Sequence, residues 1–283
     1  MSNVPQIVTS VAELRHRIAA LRQDDSSIGL VPTMGALHTG HLSLVREIQK
    51  HVDVVVVSIF INPTQFAPHE DFERYPRALM ADAEKLGADG ATDLIFAPSV
   101  GEMYPPGFTT TVEVGGPALG LESDSRPHFF AGVATIVAKL LLAATPNVAM
   151  FGEKDYQQLL VIRRLVADLG LSVRILGAPI IRERDGLAMS SRNAYLSESE
   201  RKVAAQLNVV LQSLIAELHD GGPIPEVEEN GKRALLAAGF NSVDYLTVRD
   251  GETLAPLTSL DRPARLIAAA TIGTTRLIDN MAV

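Results

Sequence analysis

The sequence has no cysteine and no tryptophan. Without cysteine, disulfides, Cys-ligated zinc and thiol nucleophiles are excluded at once, and the absence fits a reducing compartment. Long hydrophobic runs are missing too. The most apolar stretches, VVVVSIFI at 54–61 and VATIVAKLLLAA at 133–144, fall short of the roughly 18 uninterrupted apolar residues of a membrane span, and Lys139 interrupts the second. The opening MSNVPQIVTSVAELRHR is polar and has no apolar signal core. No membrane partner and a cytoplasmic location are therefore expected. Positive charge is not in excess either: 25 Lys and Arg stand against 33 Asp and Glu, a net charge of −8. That balance speaks against nucleic acid as a partner, because such binding needs clustered Lys and Arg. A local basic pocket for a phosphorylated small molecule is still compatible with it.

What is present is a chain of 283 residues, 47% hydrophobic and 20% charged, long enough to bury a core without disulfide or metal staples. Apolar runs alternate with amphipathic segments through the first 180 or so residues. IGLVPT (28–33), VVVVSIFI (54–61), DLIFAP (93–98) and NVAMFG (147–152) read as strands, and SVRILGAPII (172–181) holds one or two more. Between them, GHLSLVREIQKH (40–51) places Leu42, Val45, Ile48 and Val52 at helical spacing. RALMADAEKLGADG (77–90), GVATIVAKLLLAAT (132–145) and DYQQLLVIRRLVADLG (155–170) are helical in the same way, the first and last stopped by glycine.

This alternation predicts an α/β fold, a Rossmann-like parallel sheet with helices on both faces. After Arg182 the pattern changes to a polar loop, RERDGLAMSSRNAYLS (182–197). A capping box, Ser197-x-x-Glu200, then opens a helix expected to run to about Asp220, and a second helix ends at Ala238. Three strands follow, at 242–250, 264–273 and 274–279. Two domains are expected: residues 1–183, a Rossmann-like nucleotide- and substrate-binding catalytic domain, and 184–283, a smaller α+β domain with the 182–197 loop at its start.

Ligands of a parallel sheet bind beyond the carboxyl ends of its strands, which directs attention to the polar residues there. Pro32-Thr33-Met34-Gly35-Ala36-Leu37-His38-Thr39-Gly40-His41 joins the first of these strands to its helix. Glycines 35 and 40 allow close backbone approach, and the helix N-terminus favours an anion. Two histidines at such a turn can donate to phosphate oxygens. Read alone, the pair is equally a loop with two solvated histidines, and a metal pair lacks a nearby carboxylate in the motif. Ile61-Asn62-Pro63-Thr64-Gln65-Phe66 offers two amides for a polar substrate, or a simple Asn-Pro turn. Phe151-Gly152-Glu153-Lys154-Asp155-Tyr156-Gln157-Gln158 sets Lys154 against a phosphate with Gln158 about one turn later, or is a charged turn capped by Asp155. Met189-Ser190-Ser191-Arg192-Asn193 makes a mobile phosphate clamp or an ordinary linker.

Together, PTMGALHTGH, SIFINPTQF, FGEKDYQQ and DGLAMSSRN stand in the order and spacing of one family. The chain resembles, over residues 5–282 and most weakly in its last third, the pantoate–β-alanine ligases among the HIGH-type nucleotidyltransferases. His38-Thr39-Gly40-His41 matches the HIGH signature and Met189-Ser190-Ser191-Arg192 the KMSKS loop. The resemblance implies that ATP and (R)-pantoate form pantoyl adenylate and pyrophosphate, and that β-alanine then displaces AMP. It implies catalytic roles for His41, His38, Lys154 and Arg192, with His41 as proton donor. ATP would be lined by Met34, Gly35, Ala36, Leu37, His38, Thr39, Gly40 and His41. Gly152, Glu153, Lys154, Asp155, Ile181, Met189, Ser190, Ser191 and Arg192 would complete that site. Gln65 and Gln158 would hold pantoate with Asn62, Gln65 would also reach β-alanine, and Arg126 would contribute nearby. Asp82 would be the magnesium-side carboxylate for Mg2+ arriving with ATP, and a homodimer is implied.

Two positions depart from the family pattern. Arg126-Pro127-His128-Phe129-Phe130-Ala131-Gly132 has Phe129 where the family usually has His, and Ala81 stands where some members carry a second Asp beside the one matching Asp82. Two other readings compete: a different HIGH-type adenylyl- or cytidylyltransferase, and a non-catalytic nucleotide sensor on the same fold. The glutamine pair argues against the first. Retention of both histidines, Lys154 and Arg192 argues against the second.

Overall fold

In a computed structural model, which describes residues 4–22, 25–67, 70 and 72–283, the apolar runs become six parallel strands. The chain runs β1 (Gln6–Val8), α1 (Val11–Leu21), β2 (Ile28–Thr33), α2 (Thr39–Ile48), β3 (Val54–Ile59), α3 (Leu79–Asp89) and β4 (Leu94–Phe96). It continues through α4 (Val100–Met103), α5 (Glu122–Ser125), α6 (Phe129–Ala144), β5 (Val148–Gly152), α7 (Tyr156–Asp168) and β6 (Arg174–Ala178). The strand order is β1-β4-β3-β2-β5-β6. From β2 the chain steps outward to β3 and β4, then crosses back to pair β5 with β2, Gly29 opposite Val148 and Leu30 opposite Ala149. The direction of winding reverses there, so the crevice at the carboxyl ends of β2 and β5 is the place for a ligand.

Side-chain alternation along the strands feeds two cores. Val54 and Val56 of β3 face a core built with α1, α6 and α7, while Val55 and Val57 face one built with α2 and α3. A strand covered on both faces has no place for polar alternation, which explains the unbroken valine run. Close approach is needed on the α2 side: a Cβ on Gly29 would lie 2.7 Å from Val52 and 2.8 Å from Ile48.

The remaining chain forms α8 (Glu198–Ala204), α9 (Gln206–His219), α10 (Ile224–Ala238) and an antiparallel meander of β7 (Ser242–Asp250), β8 (Ala264–Ile272) and β9 (Thr275–Ala282). These enclose a third core around Leu207, Leu211, Leu235 and Leu246. The capping box at Ser197 and Glu200 is formed. The single helix expected from there to Asp220 is instead two, divided at Ala205. That residue keeps helical torsions (φ −62°, ψ −24°), so the break lies in the hydrogen-bond ladder and not in the backbone conformation. Of the one or two strands expected in 172–181 only β6 forms, ending before Pro179, which has no N–H to give a ladder. β1 and α1 were not among the elements expected from the sequence; Ser10 caps α1 by accepting from the Glu13 N–H.

Gly132 marks where α6 meets the loop after β3. A Cβ there would lie 2.5 Å from the Thr64 carbonyl oxygen and 2.9 Å from the Gln65 nitrogen, both backbone atoms. Gly132→Ala should therefore cost about 1–3 kcal/mol by overpacking, read as a lowered urea midpoint at unchanged m-value. A midpoint equal to that of the parent would show that the loop yields without strain.

Candidate active site

The turn between β2 and α2 is strained and then capped. Gly35 (φ 84°) and Ala36 (φ 52°) are both left-handed, and the Gly35 N–H donates to Thr33 Oγ1 at 3.3 Å. His38 is the N-cap of α2. Its Nδ1 accepts from the Gly40 N–H at 3.2 Å, and the His38 N–H donates to His41 Nδ1 at 3.3 Å. An Nδ1 that accepts leaves the ring proton on Nε2, so both imidazoles present an N–H outward as neutral groups. The rings lie 4.1 Å apart between centroids. Burial first, then the Lys154 charge, lowers the His38 pKa. Burial, His38 and Lys154 together pull His41 down to about 3. These histidines are hydrogen-bond donors at neutral pH, not cations.

At the end of β3, Asn62 is buried and its amide is spent within the protein. Its Nδ2 donates to Gln65 Oε1 and to the Gly132 carbonyl, both at 3.1 Å, and its Oδ1 accepts from Tyr104 at 2.7 Å and Thr64 at 3.0 Å. Asn62 thus orients Gln65, whose Nε2 lies 3.0 Å from Met34 Sδ.

After β5, Lys154 lines the same cavity as the two histidines, and among the described residues no carboxylate pairs with its amine. The turn carrying it is held from the other sheet: the buried Asn280 of β9 donates to the carbonyls of Glu153 and Lys154, both at 2.9 Å. Glu153 turns away from the cavity and pairs with Arg265 at 3.0 Å, and Arg265 stacks on Tyr156 at 3.9 Å. The adjacent glutamines both line the cavity but differ in what holds them. Gln157 is buried, its amide accepting from the Glu122 N–H and donating to the carbonyls of Pro117 and Gly120. Gln158 is the less buried of the two.

The 182–197 loop is anchored at its base. Arg182 donates to both oxygens of the buried Asp279, at 2.7 and 3.0 Å, and forms a bridge with Ala188. Asn193 Nδ2 ties the loop to Glu183 and to the Ala188 carbonyl. From this base Met189, Ser190, Ser191 and Arg192 reach the cavity, and the Ser191 hydroxyl meets Tyr75 at 3.2 Å.

A charged wall closes the remaining side. Arg126 forms a bidentate pair with Glu70 (2.6 and 2.7 Å), donates to the Gln65 carbonyl at 3.0 Å, and lies 3.9 Å over the Phe129 ring. Phe129 therefore serves as a platform for Arg126. Glu122 accepts from Tyr245 at 2.6 Å and pairs with Arg276 at 2.7 Å. Burial would raise its pKa, but Arg276, Tyr245 and Arg126 more than offset this and hold it below the ordinary value. Only His128-Phe129, beside an arginine, hinted at this wall in sequence.

The cavity has a volume of about 710 Å³. Met34, His38, Gly40 and His41 reach it from the first turn, and Asn62 and Gln65 from the second. Gly152, Lys154, Asp155 and Gln158 come from the third, and Ile181 with Met189–Arg192 from the loop. Gly35, Ala36, Leu37, Thr39, Glu153 and Asp82 stand outside its lining. Asp82 is buried behind the first turn, where its Oδ1 accepts from the Leu37 N–H at 2.9 Å. A cavity of this size, lined by an ammonium that no described carboxylate pairs, two imidazoles and several side-chain amides, suits a nucleotide and a small hydroxylated acid.

Comparison with known proteins agrees with this chemistry. The family model "Pantoate-beta-alanine ligase" matches residues 6–282. The pantothenate synthetase of Mesorhizobium japonicum is 55% identical over 277 residues, covering 98% of this chain and 97% of the relative. The crystal structure of pantothenate synthetase from Thermus thermophilus superposes with a TM-score of 0.91 at 49% identity, covering 98% of each chain. That of the Francisella tularensis pantoate-beta-alanine ligase, complexed with beta-gamma ATP and beta-alanine, gives 0.82 at 34% identity, over 98% of this chain and 97% of that one.

The neutral state of His41 has a measurable consequence. Unfolded, a histidine takes up a proton near pH 6.5, whereas folded His41 does so only near 3. Between these values the unfolded state binds more protons, so this group lowers stability as pH falls. His41→Asn should therefore lose less stability than the parent between pH 6.5 and 4.5 in urea titrations. Parallel pH profiles would mean that His41 titrates normally.

Proposed function

The chain belongs to the pantoate–β-alanine ligase family and makes pantothenate from pantoate and β-alanine with ATP; from that premise we propose how its residues carry the two steps. In the first, a pantoate carboxylate oxygen attacks the α-phosphorus and the bond to pyrophosphate breaks. The nucleophile is already ionised near neutral pH, so the step needs positioning and charge neutralisation and no strong base. The Nε2–H groups of His38 and His41 donate to phosphate oxygens, and Lys154 with Arg192 balances the charge that develops. Ser190 and Ser191 add hydroxyl donors, and Asp155 and Ile181 line the nucleotide. Mg2+ bound with ATP would supply further neutralisation of phosphate charge beside Lys154 and Arg192.

Gln65 and Gln158 hold pantoate by its hydroxyl and carboxyl oxygens, with Asn62 acting through Gln65. In the second step the β-alanine amine, near Gln65, attacks the acyl carbon; the bond to AMP breaks and the amine loses a proton. The separate hydrophobic cores support reading residues 1–183 as the catalytic domain and 184–283 as the smaller one. A homodimer and a cytoplasmic location belong to the same reading. No helix among the described residues is long and apolar enough to cross a membrane.

The unpaired Lys154 amine beside two neutral imidazoles carries this assignment. Lys154→Ala should slow AMP release about 10²–10³-fold with an unchanged melting temperature, and near-parental turnover would remove it from the reaction. Gln65→Ala and Gln158→Ala should chiefly raise the KM for pantoate, since each leaves a buried partner unpaired at about 1–3 kcal/mol. If the KM for ATP rose equally in both, the glutamines would belong to the nucleotide instead.

A further inference from the structure

The resemblance puts Asp82 beside the metal, yet its surroundings suit a different task. Asp82 and Lys85 lie one turn apart on α3 and hold both backbone polar groups of Leu37. The Leu37 N–H donates to Asp82 Oδ1 at 2.9 Å, and Lys85 Nζ donates to the Leu37 carbonyl at 2.7 Å. Lys85 Nζ also reaches Asp82 Oδ1 at 3.3 Å, which ties the two side chains together. Leu37 is buried and directly precedes His38, whose imidazole caps α2 and whose N–H sets the His41 ring.

The backbone just before this grip is under strain. Gly35 and Ala36 are left-handed in succession, a conformation that is unfavourable for Ala36 because of its Cβ. Such a conformation persists where surrounding contacts over-determine it. Gly35 is packed closely against the same carboxylate, since a Cβ there would lie 3.2 Å from both Asp82 Oδ2 and Ile59.

The same surroundings do not fit a magnesium ligand. Asp82 is 1% exposed and does not line the cavity. Its Oδ2 is buried against Gly35 with no hydrogen-bond partner, so an ion could reach it only by displacing the turn. Lys85 already sets a cation beside the other oxygen. Among the described residues no three His, Asp or Glu side chains cluster as a metal site would need.

We propose that Asp82 and Lys85 are positioning residues that clamp Leu37 and thereby aim the two histidines, and that Asp82 does not bind the metal. The inference rests on the ligase reading for its activity arm and on geometry for the others. The test compares Asp82→Ala, Asp82→Asn and Lys85→Met with the parent in AMP release over a magnesium titration at saturating ATP. Asp82→Ala should fall about 10- to 100-fold with the half-saturating magnesium concentration unchanged. Asp82→Asn should recover most of that loss, because an amide oxygen still accepts from Leu37. Lys85→Met should lose rate in the same manner and to a smaller degree. In NMR of histidine-labelled protein, the His38 and His41 signals should move in Asp82→Ala and stay near their parental positions in Asp82→Asn. Should Asp82→Ala fail to fold, the other two variants keep both comparisons.

A rise of about tenfold or more in half-saturating magnesium in Asp82→Asn would overturn the proposal. So would electron paramagnetic resonance in which nucleotide-free parental protein holds Mn2+ stoichiometrically and Asp82→Asn does not. Failure of the parent to release AMP with both acids present would count against the ligase reading alone, leaving the NMR and Mn2+ results to decide the clamp.

Discussion

The pairing of β2 with β5 is the contact on which the rest of the site depends. These strands are separated by more than a hundred residues of chain, yet they lie side by side, and each ends in a turn with a helix behind it. Parallel pairing sends both turns to the same sheet edge, which brings the histidines after β2 to the cavity that the ammonium after β5 also lines. A different strand order would leave both motifs intact in sequence and apart in space. The small C-terminal sheet reinforces the arrangement: Asn280 grips the Lys154 turn through its two carbonyls. The C-terminal sheet therefore helps to build the site at the edge of the parallel sheet.

Charge is divided unequally within the cavity. Burial and a neighbouring ammonium keep the histidines neutral, so they supply directed donors whose placement is set by the N-cap geometry of α2. Formal positive charge at the cavity is carried by lysine and arginine side chains, Lys154 among them. This separation suits phosphoryl chemistry, because two more cations beside Lys154 would repel one another while the site is empty. Preorganised neutral donors add stabilisation without that cost.

Beside the Asn280 hydrogen bonds and an apolar cluster of Leu121, Leu160, Leu254 and Ile267, three partly buried ion pairs reach the C-terminal sheet: Arg182 with Asp279, Arg265 with Glu153, and Arg276 with Glu122. Buried ion pairs are weak sources of stability, since desolvation consumes most of the Coulomb gain, but breaking one leaves a charge uncompensated. They therefore define one mutual placement of the sheets more than they strengthen it. Arg126 extends this order to the substrate side, where its guanidinium holds the Gln65 carbonyl and rests on Phe129.

Hydrophobic periodicity, strand–helix alternation and the polar residues after each strand were enough, in sequence, to read a parallel sheet, three C-terminal strands and four motifs at strand ends, because each is a short-range pattern with a local physical cause; the strand β1 and helix α1 were not read from it. The Ser197–Glu200 capping box and the glycine stop at Gly90 are of that kind. Tertiary structure alone decided which of two adjacent glutamines is buried, that Glu153 faces Arg265 in place of the cavity, and that Asp82 grips a backbone turn. It also decided that Phe129 serves Arg126. The first three depend on partners 35 to 112 residues away, the last on how two near neighbours fold against the cavity, and all on whether the partner satisfies or neutralises the side chain once water is excluded. A local pattern carries no record of either.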